Sequence, residues 1–451
     1  MGAPIIDKAT QIEAAENTRL WERTPGSKEL YAQAVGSMPM GVGSSFQAWE
    51  PYPVYLREGR GAHVWDVDGH EYLDFHNGFG CMVVGHAHPK VTEAIKRAAR
   101  SGTHFAAPTE TTVRFAEVLC ERFGVDSVRF ANSGTEATMS AIRVARAATG
   151  RDHIVKIEGS YHGHHDAVMF SVVPNAEHMG GREAPATTPM SKGIPAAMAE
   201  YTHVVPFNDL EVLRGLLAER GGDIACLILE PVMMNIGICQ PQPGYLQALS
   251  DLLHAHGALL IFDEVKSGAT IAYGGAAERY GVQPDLACWA KAICGGTPGA
   301  AFGGRADVMA SIETGAAHQG TFNGNPLVAA AGLATLTEVL TPDAYEHLGD
   351  LGTRLADGCA KAIDEHGIPA HAVDLGAKGC VSYRPEPLTG YRDFLETTPE
   401  LYLASYPWAM NRGIFMTPGD EEQWTISVQH TETDIDRYVD QFVEFCAALA
   451  P

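Results

Sequence analysis

ALLIFDEV (Ala258 to Val265) is flanked by IACLILEPV (Ile224 to Val232) upstream and DLACWAK (Asp285 to Lys291) downstream, and these three runs decide the fold class. Each is apolar on both faces over a strand's length, and the residues between them pattern as loop and helix, including a helix at 244–256. Two earlier runs extend the alternation. VRFAN (Val128 to Asn132) precedes a helix at 135–148, and HIVKIE (His153 to Glu158) precedes a loop. Strands buried on both faces and separated by helices predict an α/β fold, a mainly parallel sheet covered on both sides. Ligands in such sheets sit beyond the carboxyl ends of the strands.

The chain has 451 residues, more than one ordinary core, and 45% of them are hydrophobic against 19% charged. No run approaches the roughly 20 apolar residues of a membrane span. The first residues, MGAPIIDKATQIEAAENTRLWER, carry charges where a signal peptide needs an apolar stretch, so a cytoplasmic location is expected. The formal charge of -23 argues against general attraction to nucleic acid or an anionic membrane. Nine scattered cysteines without CxxC spacing read as reduced, mostly buried thiols.

Residues 13–37 pattern as helix with a break at Pro25-Gly26. VWDVDGHEYLDF (Val64 to Phe75) alternates around Asp68-Gly69, a hairpin signature. The expected organisation is an N-terminal segment at 1–75 that packs with a small C-terminal domain at 331–451, around a large domain at 76–330. The Gly, Pro, Ala and Met-rich stretch 164–198 is expected to be either a lid over the site or a plain surface excursion.

Three signals carry chemistry. NSGTEA (Asn132 to Ala137) joins strand to helix, so Ser133, Gly134 and Thr135 bring hydroxyls, free N–H groups and a helix N-terminus to one point. That suits a phosphate, although an ordinary helix cap reads the same way. Asp263 ends an apolar strand, where a carboxylate needs a partner; a protonated ring nitrogen, a magnesium ion or a helix N-terminus would each serve. Lys291 follows another apolar strand and precedes Gly295, Gly296, Pro298 and Gly299. An amine in an apolar pocket becomes a nucleophile able to form a Schiff base, whereas most lysines simply face solvent.

In this order the three are the attachment points of pyridoxal 5'-phosphate, and the chain resembles class III (fold type I) pyridoxal-phosphate aminotransferases. It is most similar to the glutamate-1-semialdehyde 2,1-aminomutase subgroup and its aminotransferase relatives. The blocks that carry the resemblance run from about Met38 to the end: WDVDGHEYLDF, GHAHP (85–89), NSGTEA, GRDHIVKIEGSYHGHHD (150–166), LEPV (229–232), LLIFDEV, AYGGAAERYGVQPDL (272–286), GTFNGNP (320–326) and HTETDID (430–436). The resemblance implies a large domain built on a seven-stranded sheet and an obligate homodimer with shared active sites. It implies that Ser133, Gly134 and Thr135 grip the phosphate, Tyr161 stacks on the ring with His162 beside it, and Val265 packs on the other face. Asn235 would reach the phenolic oxygen, Asp263 the pyridine nitrogen and Lys291 the aldehyde carbon, with the partner subunit's Thr321 completing the phosphate site. The implied catalytic set is Lys291, Asp263 and Tyr161, acting on small-molecule amines or amino acids and carbonyl compounds.

The sequence departs from the subgroup at the substrate end. Gln47, in GVGSSFQAW (Gly41 to Trp49), replaces the arginine that holds the substrate carboxylate, and an amide cannot make that bidentate, charge-assisted pair. Phe79 replaces a pocket tryptophan. Lys266 stands where an uncharged residue is expected, and either supplies the lost anion contact or points to solvent, the second being the favoured expectation. An aminotransferase with an apolar or aromatic group accommodated near Phe46, Trp49 and Phe79 is expected, the aminomutase itself being the alternative. A metal hydrolase built on HGHHD (His162 to Asp166) is the reading from another class. Neighbouring loop residues do not readily converge on one ion, so no metal is expected.

Overall fold

The computed structural model describes residues 2–419 and 424–450. Its centre is a seven-stranded sheet in the order Ser127–Ala131, Ala300–Gly304, Leu286–Trp289, Leu259–Asp263, Ile224–Leu229, His153–Ile157, Thr202–Val205. Neighbouring strands are parallel except at Ala300–Gly304, which runs against both of its neighbours. The three deciding runs lie side by side in the middle. Every residue of Ile224–Leu229, Leu259–Asp263 and Leu286–Trp289 is buried, as a sheet covered on both faces requires. Trp289 stacks on Phe123 at a ring-centroid distance of 4.7 Å, which ties the sheet to the helix Glu110–Phe123.

A four-stranded sheet joins the two ends of the chain. The hairpin His63–Asp66 and Glu71–Asp74 pairs antiparallel at the expected place, and Ile414–Phe415 adds parallel to its second strand. The N-terminal helix starts earlier than the pattern suggests. It runs over Gly2–Arg23, and a second helix follows over Pro25–Ala34. Ile5, Ala9, Ile12, Glu16 and Leu20 recur at intervals of four or three and form its inner face against the helix Pro399–Asn411. Polar residues between them hide that stripe from a reading by composition.

The stretch 164–198 is not a lid. Phe170 and Val172 are buried, the Lys156 ammonium donates to the carbonyl of Phe170, and Tyr391 donates its hydroxyl to the carbonyl of Pro174. None of its residues lines the cavity at the strand ends. All nine cysteines are free and seven are buried. No helix among the described residues is long and apolar enough to cross a membrane.

Candidate active site

A cavity of about 420 Å³ opens beyond the carboxyl ends of the central strands, within the size range of small-molecule sites. Ser133, Gly134, Thr135, Tyr161, His162, Asn235, Asp263, Val265, Lys266, Lys291 and Phe79 all line it. Topology explains the convergence, since each of these residues except Phe79 ends a strand of the sheet or follows such an end within a short loop, and Phe79 follows the strand Glu71–Asp74 of the four-stranded sheet.

Ser133 caps the helix Gly134–Thr149, its hydroxyl accepting from Glu136 N. The first N–H groups of that helix have no partner within it and face the cavity. Gly163, at φ +91°, brings the loop from Tyr161 against this helix start, where a Cβ would stand 2.7 Å from the Thr135 Cα. Thr135 Oγ1 in turn accepts from His164 N at 3.3 Å.

Asp263 is 5% exposed and its two oxygens are assigned: one accepts from Val265 N at 3.0 Å, the other lies 2.8 Å from His162 Nδ1. His162 is buried, and its Nε2 has no partner among the described residues. The backbone of His162 is fixed by the hydroxyl of Thr138, which donates to its carbonyl at 2.6 Å. Lys291 opens a short turn, Lys291–Cys294, at φ +47°, a conformation uncommon for a residue with a Cβ and concentrated at functional sites.

Glu230 escaped the sequence reading. Its buried carboxylate accepts from Tyr161 N, Met234 N and the Asn235 amide, and so ties together two loops that carry site residues. Burial raises its pKa, opposed by His162 and Lys266. Its position in LEPV, one residue before a proline at a strand end, was the available signal. Glu264 beside Asp263 is also buried; desolvation pushes it up to about 7, although it accepts from Ser267 and from Ala276 N and Ala277 N.

Lys266 does not point to solvent. It is 9% exposed and faces the cavity, because it sits on the first turn after the central strand. Gln47 is exposed and lies outside the cavity, its side-chain oxygen accepting from Gly43 N at 3.2 Å. Thr321 is exposed and lies away from its own chain's cavity, near His318 and Arg129. The histidines of HGHHD diverge: His162 turns to Asp263, His165 to Thr138, and His164 is exposed.

The donor set suits pyridoxal phosphate. A helix N-terminus for a phosphate, a buried carboxylate for a ring nitrogen and a lysine amine for an aldehyde face one volume of suitable size. The family model for class-III aminotransferases matches residues 45–377. This chain is a member of the class-III aminotransferase family. A glutamate-1-semialdehyde 2,1-aminomutase from Desulforudis audaxviator is 42% identical over 417 residues, covering 91% of this chain and 95% of that one. An omega-transaminase from Sphaerobacter thermophilus superposes with a TM-score of 0.90 at 34% identity, covering 96% of this chain and 100% of that one. A glutamate-1-semialdehyde aminomutase from Pseudomonas aeruginosa, solved in complex with PMP, gives 0.90 at 27% identity, covering 99% of each chain. This class-III chain has the fold type I architecture and is a pyridoxal-phosphate-dependent enzyme. The names of its relatives agree better with the aminomutase alternative than with transfer between two molecules.

Proposed function

We propose that this class-III enzyme moves an amino group between an amine or amino acid and a carbonyl compound, with Lys291 as the covalent anchor of its cofactor. One observation carries the reading: residues as distant in sequence as Ser133 and Lys291 line a single cavity, with the buried His162 and Asp263 pair between them. When bound, pyridoxal phosphate supplies an electron sink for the bond broken at the substrate carbon.

The protein's own groups do the rest. The N-terminus of the helix Gly134–Thr149, with Ser133 and Thr135, holds the phosphate by N–H and hydroxyl donors. Tyr161 and Val265 form the two walls of the slot for the ring. Asp263 keeps a proton on the ring nitrogen, and His162 Nδ1 keeps that carboxylate oriented. Asn235 offers an N–H toward the phenolic oxygen. The Lys291 Nζ, which would hold the cofactor's aldehyde carbon, would also be the base for the proton on the substrate's amine-bearing carbon. The exposed Thr321, absent from its own chain's cavity, supports a homodimer in which the partner subunit's Thr321 completes the phosphate site.

The curated relatives' names favour a second reading, the 2,1-aminomutase. Against it stands the substrate end, where Gln47 is exposed, bonded to Gly43, and no arginine lines the cavity among the described residues. The two are separated by incubating the holoenzyme with glutamate 1-semialdehyde and, separately, with amines, D- and L-amino acids and beta-amino acids. Conversion of the cofactor to its amine form by members of the panel supports transfer between molecules. Rapid isomerisation of the semialdehyde without exchange with the others overturns it.

A further inference from the structure

The outer wall of the cofactor-side cavity is shared with a second chamber. Phe46, Gly78 and Phe79 line both. The second chamber measures about 490 Å³, and its walls are mostly apolar, with Val42, Trp49, Val54, Tyr406 and Phe415 among them. Trp49 and Tyr406 pack at 5.1 Å between ring centroids, which gives the chamber a rigid aromatic side.

Charge decides what this chamber accepts. No lysine or arginine lines it among the described residues. Its acidic group, Asp74, is buried and held 2.6 Å from His86 Nε2. Gln47, the residue standing where the subgroup carries its arginine, accepts from Gly43 N through its side-chain oxygen and has only the neutral N–H donors of its amide, not a charged fork, to offer a carboxylate. A carboxylate placed here would lose its water and find no lysine or arginine, only His76 and His86, the latter already paired with Asp74, whereas an alkyl chain or aryl ring would lose only apolar exposure.

The divider is built from side chains on two short loops. The rings of Phe46 and Phe79 lie 6.0 Å apart, and Phe46 meets Tyr161 edge-on at 5.5 Å. Gly78 and Phe79 have φ values of +61° and +56°, so this part of the wall is held in a conformation that side chains disfavour. The cofactor-side cavity must take the cofactor and the reacting carbon, which leaves the adjoining volume for whatever else the substrate carries.

We propose that the second chamber is the subsite for the substrate's large substituent, and that it takes an uncharged apolar group, an aryl ring or an alkyl chain, reaching past Phe46 and Phe79. This rests on the aminotransferase reading above, and deepens it by naming the substrate class as amines or amino acids with a bulky apolar arm.

The test uses the holoenzyme and two matched series from ethyl to octyl: unreactive primary alcohols, whose affinity is read by calorimetry, and primary amines, whose consumption is read from the cofactor's absorbance. Alcohol affinity is expected to rise by roughly three- to fourfold per methylene in the longer members. Val54→Trp and, on a separate wall, Val42→Trp fill the chamber and are expected to flatten that rise; the cofactor's absorbance reports that each variant is folded and loaded. A flat alcohol series in the natural enzyme, or a rise that both filled variants retain, overturns the subsite whatever the amines do. A rise that is flattened by filling, with neither these amines nor alpha- and beta-amino acids carrying the same alkyl chains consumed, leaves the chamber standing and overturns the aminotransferase reading instead.

Discussion

Both carboxylate oxygens of Glu230 lie 3.0 Å from Nδ2 of Asn235. One N–H shared between two acceptors fixes which end of the amide is nitrogen and leaves the second N–H free to face the cavity. The same carboxylate accepts from Tyr161 N at 3.0 Å. Glu230 is therefore a positioning residue for the two residues proposed to meet the cofactor's ring and its phenolic oxygen. Replacing Glu230 with Gln puts an amide among three donors, so at least one buried contact becomes a clash or an unmet donor. The expected result is a fall in kcat of roughly ten- to a hundredfold with a smaller change in KM, together with an altered pH dependence of the holoenzyme's absorbance. A stability loss with an unchanged absorbance titration would show a purely structural role.

The pair His162 and Asp263 is expected to govern the cofactor's ring. Asp263→Asn keeps the shape but removes the charge that holds a proton on the ring nitrogen, and kcat should drop on the order of a hundred- to a thousandfold. His162→Phe leaves the carboxylate charged but unsteered, so its loss should be smaller. Steady-state kinetics of the two variants, each saturated with cofactor, check the ranking.

Gly163→Ala tests the phosphate end. The position has φ +91°, and the new Cβ would stand 2.7 Å from the backbone of Thr135. The loop or the helix start must move, and both form the proposed phosphate cradle. Weaker retention of the cofactor on dialysis is expected, with a modest fall in thermal midpoint, roughly 1–3 kcal/mol of stability. Retention equal to that of the natural protein would separate Thr135 from the cradle.

Glu264 should leave a pH signature. Burial pushes it up to about 7, above an unfolded value near 4.5. With a raised folded value the native state holds more protons than the unfolded one between those limits. Its stabilising contribution is complete below pH 4.5 and is lost as the pH rises toward 7. The stability difference between the natural protein and Glu264→Gln, from denaturant unfolding of the holoenzyme, is expected to fall across that window. A difference independent of pH contradicts the buried, raised carboxyl.

The central sheet was legible because buried parallel strands write themselves as uninterrupted apolar runs; Ile224–Leu229 and Leu259–Asp263 fall where the pattern puts them. The antiparallel strand Ala300–Gly304 was not, since AAFGG lacks the branched residues that mark a strand and is held by its neighbours instead. Asp263, Lys291 and the Ser133 turn could be named because each sits at a strand end beside an unusual residue type. Lys266 was misjudged because a lysine's default is solvent, and only the topology shows that the first turn after a central strand faces the cavity. For Glu230 the strand-end position in LEPV was the one local signal, and its role shows only once Tyr161 and Asn235, far apart in sequence, are seen to bond to it. The course of 164–198 depends on contacts with residues near 391, which no local pattern contains.

The most direct measurement is reduction of the holoenzyme with borohydride, followed by mass spectrometry of its peptides. A single stable addition of the reduced cofactor is expected on the peptide that carries Lys291, and none on that peptide in Lys291→Ala. An addition mapped to Lys266, Lys156 or any other amine, or no addition to a yellow enzyme that still turns over, contradicts it.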